Sequence, residues 1–125
     1  MPVSWRISKG IVFLESDEEA IFEEWRLSLE GALTSSDYRP GMGLVHDIRR
    51  MGRVPAAAEV LARVYFLARQ MRIYGIKRWA IVATGGAAYG MGRIGEAIVD
   101  DGPNAELQFR VFRDLAEAEA WARPQ

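Results

Sequence analysis

Between Tyr89 and Ile98 the chain reads YGMGRIGEAI, and Gly90, Gly92 and Gly95 spell G-x-G-x-x-G. In a dinucleotide-binding domain such glycines make the first turn, admit the pyrophosphate to the backbone and let the helix pack closely on the sheet. That chemistry requires a strand ending just before the first glycine and a second half-domain after it. Here Gly85 to Tyr89 separate the motif from the apolar run WAIVAT, and only eleven residues follow Asp114, the acid placed where a ribose-binding carboxylate would stand. The triplet is therefore read as a glycine-rich rim loop opening a short helix, about Met91 to Asp100, and no cofactor is expected.

Anion chemistry fits the same region better. Arg49, Arg50, Arg53 and Arg93 supply guanidinium groups, while Gly85, Gly86, Gly90 and Gly92 would let a ligand reach backbone amides. Met51, Tyr89 and Met91 add soft apolar groups, read either as a lid on the core or as an adaptable pocket or partner surface. His46-Asp47 invites an acid–base reading, but neighbours on a strand point to opposite faces, so the two cannot form a relay. His46 is then a satisfied core histidine, and Asp47 a holder of a turn amide or an arginine. Ser35 and Ser36 have no base and no nucleophile-elbow sequence around them, so no catalytic residue is assigned. With no cysteine and one histidine, neither a thiolate cage nor a multi-histidine metal site is available.

The elements that must position these groups follow from periodicity. Trp5 to Ser8, a Lys9-Gly10 turn and Ile11 to Leu14 read as two short strands. Ser16 and Glu19 fit a capping box, and Ile21, Phe22, Trp25, Leu29, Ala32 and Leu33 form a helical apolar stripe opposite acidic residues. LVHDI, Leu44 to Ile48, reads as a strand. A helix from Pro55 to about Tyr74 buries Val60, Leu61, Val64, Leu67, Ala68 and Met71, turns Arg63, Arg69, Gln70 and Arg72 to water, and ends at Gly75. Trp79 to Ala83 is an uninterrupted apolar run, as in a strand covered on both faces. After a turn at Asp101 to Asn104, Leu107, Phe109 and Val111 alternate with polar residues, and Asp114 to Arg123 carries Leu115, Ala118 and Trp121 on one helical face. The series predicts an α/β fold: a mostly parallel four- to five-stranded sheet, an N-terminal antiparallel edge strand and four helices. Ser16, Arg49 to Arg53 and Gly85 to Arg93 should then meet at the rim where parallel strands end.

With these elements in place the chain resembles the SpoIIAA-like proteins of the STAS and SEC14-type superfamily. The resemblance is carried by GIVFLES leading into an acidic helix, by GLVHDIRR, by RWAIVAT, and by FRVFRDLAEAEAWAR, where a strand meets a final helix with a buried tryptophan. It implies a small domain of the anti-sigma-factor-antagonist kind, one that works by binding proteins or small ligands. Those antagonists carry a switch serine at the start of the helix after the central strand. Arg49 to Pro55 contains no hydroxyl, so the phosphoswitch does not carry over.

Composition bounds the rest. At 125 residues, 50% hydrophobic, the chain is expected to form one domain over residues 1–125 and to bury roughly two-thirds of its unfolded surface. No apolar run approaches the ~20 residues of a membrane span, and no basic-then-apolar leader is seen, so a cytoplasmic address is expected. The net charge of −1 conceals segregation: seven acids against Arg26 between Glu15 and Glu30, then eight bases against Glu59 between Ile48 and Ala80. A slightly acidic chain whose aromatics fit core positions does not favour nucleic acid. The expectation is a non-enzymatic regulatory or protein-interaction domain, with a homodimer or regulatory protein as partner. The alternative is a binder of a small anionic or amphiphilic ligand, phosphoryl or lipid-like, at the Arg/Gly-rich rim.

Overall fold

Lys9 and Gly10 both adopt positive φ, 55° and 76°, which gives the two-residue turn a twist matching that of its flanking strands. It joins β1 (Val3–Ser8) to β2 (Ile11–Ser16) in an antiparallel hairpin. The computed structural model describes residues 3–17, 21–51, 56–101 and 107–124. Beyond the hairpin, α1 (Phe22–Leu33), β3 (Gly43–Asp47), α2 (Ala57–Tyr74), β4 (Arg78–Val82), α3 (Gly86–Asp101), β5 (Gln108–Phe112) and α4 (Leu115–Ala122) follow in the predicted order. β2 to β5 are parallel, and the five strands lie side by side in sequence order.

That order has a consequence for the site. Right-handed crossovers between strands added in one direction put every connecting helix on the same face. Accordingly Trp25 and Leu29 of α1, Val64, Leu67 and Met71 of α2 and Val99 of α3 share one core with Val12, Leu14, Leu44, Trp79 and Phe109. The opposite face packs Ile11, Phe13, Val45, Ala80 and Val82 against Ala118 and Ala122 of α4. Since the strand order never reverses, the sheet has no switch point on the rim where the expected anion site would lie.

Several expectations change. The helix expected from about Met91 begins at Gly86, with Tyr89 N–H bonded to the Gly85 carbonyl at 2.9 Å, so Gly86, Tyr89, Gly90, Met91, Gly92 and Arg93 are helical and form no loop. Tertiary packing overrides glycine's poor helix propensity: a Cβ on Gly92 would lie 2.6 Å from Val111 Cγ2, and one on Gly95 2.8 Å from Phe109 Cε1. The second and third glycines of the motif thus bring α3 against β5. Ser16 caps no helix; it ends β2, and α1 starts at Phe22 after Ile21, without a side-chain cap. Ile21 is exposed. Leu61 is also exposed, because the inward stripe of α2 runs Val60, Val64, Leu67 and Met71. Trp121 is half-buried. Glu19, Arg53, Pro55 and the turn residues 102–104 lie outside the described residues. Gly75 closes α2 in the left-handed conformation, φ 77°, as its position predicts.

Candidate ligand site

α2 and α3 stand side by side over β3, β4 and β5, and a pocket of about 80 Å³ lies between them and the sheet. Its floor is His46 of β3, Trp79 and Ile81 of β4 and Phe109 of β5, the positions that alternation turns to this face. α2 contributes Val60, Arg63 and Val64, and α3 contributes Ala88, Met91 and Gly92. Trp25 of α1, Ile48 and Met51 complete the wall. The lining is mostly aliphatic and aromatic, with small residues on α3 where an occupant needs room.

Polar groups in this wall are few. The indole Nε1–H groups of Trp25 and Trp79, residues only 4% exposed, are themselves buried and have no acceptor among the described residues. A buried donor left this way costs about 1–3 kcal/mol. His46 is buried, shares a 2.7 Å hydrogen bond through Nε2 with the Ser16 hydroxyl, and stacks on Trp25 with centroids 5.8 Å apart. Burial first, and then the Arg63 charge, push its pKa down to about 3, while Asp47 opposes weakly. His46 is therefore neutral at physiological pH. Arg63, expected to face water, instead lies along the pocket: its guanidinium is 4.0 Å from Glu59 and 5.5 Å from the Phe22 ring centre, with the side chain 18% exposed. It flanks the inward stripe, so its stem is buried together with Nε of the guanidinium.

Asp47 points to the other face and takes up the role expected of it. Its carboxylate accepts from the Arg49 amide and from Nε, each at 3.0 Å, and from Nη2 at 2.8 Å. Burial would raise its pKa, but these bonds outweigh it and hold the carboxyl low. Two further rim arginines also meet carboxylates of their own chain: Arg50 is 3.3 Å from Glu15, and Arg93 is 3.1 Å from Glu96. Glu96 in turn accepts from the Val111 amide at 2.7 Å, capping the free edge of β5. Of the candidate residues, Met51, Met91 and Gly92 come together in the pocket. Tyr89 and Arg93 instead line a separate open cleft beside β5, where Arg113 stacks over the Tyr89 ring at 4.2 Å. Added methyl groups on Gly85, Gly86 or Gly90 would meet nothing within 4 Å, so no close backbone approach explains these three.

Arg63, Trp25, Trp79, Phe109 and His46 are the pocket residues that periodicity assigned to core or solvent. Trp25 and Trp79 carried one available signal, since each brings an indole donor to a buried position and needs a partner there. Among the described residues there is no cluster able to hold a metal ion and no helix long and apolar enough to cross a membrane.

No protein-family model matches the chain, and no curated protein matches it in sequence. In structure it is similar to an uncharacterised protein of the DUF3478 family from Shewanella loihica PV-4, whose crystal structure has a SpoIIAA-like fold. The two are 18% identical with a TM-score of 0.58 over 96% of this chain and 91% of that one. The fold is SpoIIAA-like, as the sequence resemblance implied.

Proposed function

We propose that this domain binds a small, largely apolar molecule in the pocket between α2, α3 and the sheet. One observation carries the reading: a cavity between α2, α3 and the sheet whose wall is almost wholly apolar, with Ile48, Val60, Ile81, Met91 and Phe109 in its lining. Concave, mostly apolar cavities are the usual form of small-molecule sites, and at about 80 Å³, below the roughly 300–1,000 Å³ of drug-sized sites, this one fits a small occupant or the end of a longer one. This keeps the amphiphilic-ligand expectation but moves the site from the rim arginines to the interior. A neutral environment-sensitive dye, N-phenyl-1-naphthylamine, is expected to bind with one-to-one stoichiometry and to quench tryptophan emission. Ala88→Phe, which fills the pocket from α3, should abolish that binding while melting stays within a few degrees of the parent; undiminished dye binding by this variant would overturn the reading.

A protein-interaction role is supported by a different feature. Leu61, Tyr65 and Ile73 are 39%, 53% and 64% exposed and lie four and eight residues apart along α2, forming an outward apolar stripe. Such stripes mark partner surfaces when contiguous. Light scattering that reports a monomer at high micromolar concentration, unchanged by Tyr65→Ser, would remove a second copy of this chain as the partner.

A further inference from the structure

Leu61, Tyr65, Arg69 and Ile73 stand four residues apart along α2, and all four are exposed. Residues at that spacing form one ridge of a helix, and helices most often pack by laying such ridges beside each other, their axes crossing at about −50°. The order within this ridge matters. Read forward it runs aliphatic, aromatic, cation, aliphatic; read from the other end it runs aliphatic, cation, aromatic, aliphatic. Turned end for end by a two-fold axis between Tyr65 and Arg69, the ridge meets a copy of itself with Leu61 beside Ile73 and the Tyr65 ring beside the Arg69 guanidinium, each contact made twice. Ala58 and Ala62, exposed on the same side, are small enough to let the two helices approach.

The chain by itself leaves the middle pair open. Arg69 could reach back over Tyr65 on its own helix, yet neither side chain makes an ion pair, a hydrogen bond or a ring contact among the described residues. A guanidinium over a phenol ring is attractive, and more so once apolar neighbours keep water from it. The same pairing is made elsewhere in this chain, by Arg113 over Tyr89 at 4.2 Å and by Arg6 over Phe13 at 4.0 Å. A wholly apolar partner would strand the Arg69 charge, and an acidic one would leave the ring without its cation. Resting on the outward stripe of α2 being a partner surface, we infer that the partner is a second copy of this chain, docked as a two-fold dimer through the ridge Leu61, Tyr65, Arg69 and Ile73, with the two α2 helices running in opposite directions.

One ridge per copy is a small interface, so the dimer is weak, half formed at roughly 10⁻⁴ M. Sedimentation equilibrium of the whole protein across that concentration is expected to show monomer giving way to dimer. Tyr65→Ser and Arg69→Ala each break two symmetric contacts and should raise the dissociation constant about fivefold or more. Both side chains are exposed, so melting should not move. The chain has no cysteine, and the register can be read directly: a short bis-maleimide should join Leu61→Cys protein to Ile73→Cys protein in a mixture and join neither variant to itself. A monomer throughout overturns the inference, as does a dimer that both substitutions leave intact, or Leu61→Cys protein joined to itself. The surface reading fails separately. If the protein is monomeric but its 1-anilino-8-naphthalenesulfonate emission falls in Tyr65→Ser, the second copy is overturned and the partner surface stands; if that emission is unchanged, both are overturned.

Discussion

The two faces of the sheet are built from similar residues and end differently. On the α4 face contact is so close that a Cβ on Gly43 would fall 1.9 Å from the Ala122 carbonyl oxygen, and Ala118 and Ala122 are almost fully buried. Small residues let one short helix settle closely onto β3, β4 and β5, and beside it, over the hairpin, lies a cleft of about 160 Å³ lined by Arg6, Phe13, Glu15, Asp47 and Leu115. On the other face three helices share the surface, and bulky rings carry the contacts: Trp25, Phe22 and Phe66 meet edge or tilted at 5.4–5.8 Å, and Trp79 meets Phe109 at 4.2 Å. Large rigid side chains hold backbones apart, and the gap left between α2 and α3 is the pocket. Side-chain size, more than hydrophobicity, decides how closely a helix seats on its strands.

The sharpest way to break this contrast is to wedge open the closed face. Gly43→Val should cost about 3 kcal/mol or more, since the obstruction is backbone and cannot rotate away. Urea unfolding would measure it, and a loss under about 1 kcal/mol would mean that α4 is not seated as described.

Acid should attack the pocket face first. His46 has a folded-state pKa near 3 against an ordinary value of 6.5, so the unfolded chain binds the extra proton. The stabilisation is full above pH ~6.5 and falls by up to about 1.4 kcal/mol per pH unit as pH drops toward 3. Asp47, one residue away on the opposite face, is held low by Arg49; its contribution is lost only below the ordinary carboxyl range of about 4. Stability measured by denaturant between pH 7 and 4.5 should therefore decline in the parent and stay nearly level in His46→Gln.

A smaller effect is expected from Ser16→Ala, which removes the bond to the buried imidazole. A loss of about 1–2 kcal/mol in chemical denaturation is expected, the cost of leaving that nitrogen without its partner.

The glycine motif gives the smallest and most discriminating pair. Gly90→Ala meets empty space in a helix and should stabilise by about 0.5–1 kcal/mol, whereas Gly92→Ala drives a methyl into Val111 and should destabilise by about 1 kcal/mol net of the same helix gain. Thermal melts of opposite sign would confirm that the motif is an α3–β5 contact; equal signs would sink that reading.

Much of this was legible from the chain. Capless or not, the strands and helices were marked by local apolar runs, the Lys9-Gly10 turn and the Gly75 stop, all readable within a few residues. Asp47 was placed correctly because strand alternation is strictly local. The first turn of α3 is not legible, because the glycine propensity of Gly85, Gly86 and Gly90 argues for a loop, while Tyr89 in that turn is held by Arg113, a contact from beyond β5 that no local spacing records. Ser16 was assigned to a helix cap by its neighbours Asp17 to Glu19, but its partner proved to be His46, thirty residues on. The charge of Arg63 argues for solvent, yet its flank position beside Val60 and Val64 buries the stem and Nε against the pocket.

What the sequence determined by itself was the order and type of elements, the apolar stripes and the absence of thiolate or histidine-cluster chemistry, since these depend on residue type and short spacing. Only tertiary structure decided that the strands add in one direction, that three helices therefore share a face, and that Arg49, Arg50 and Arg93 meet carboxylates of their own chain. The pocket belongs to that second class. It exists because aromatic rings from four separate elements meet over one face of the sheet, and no spacing along the chain records such a meeting.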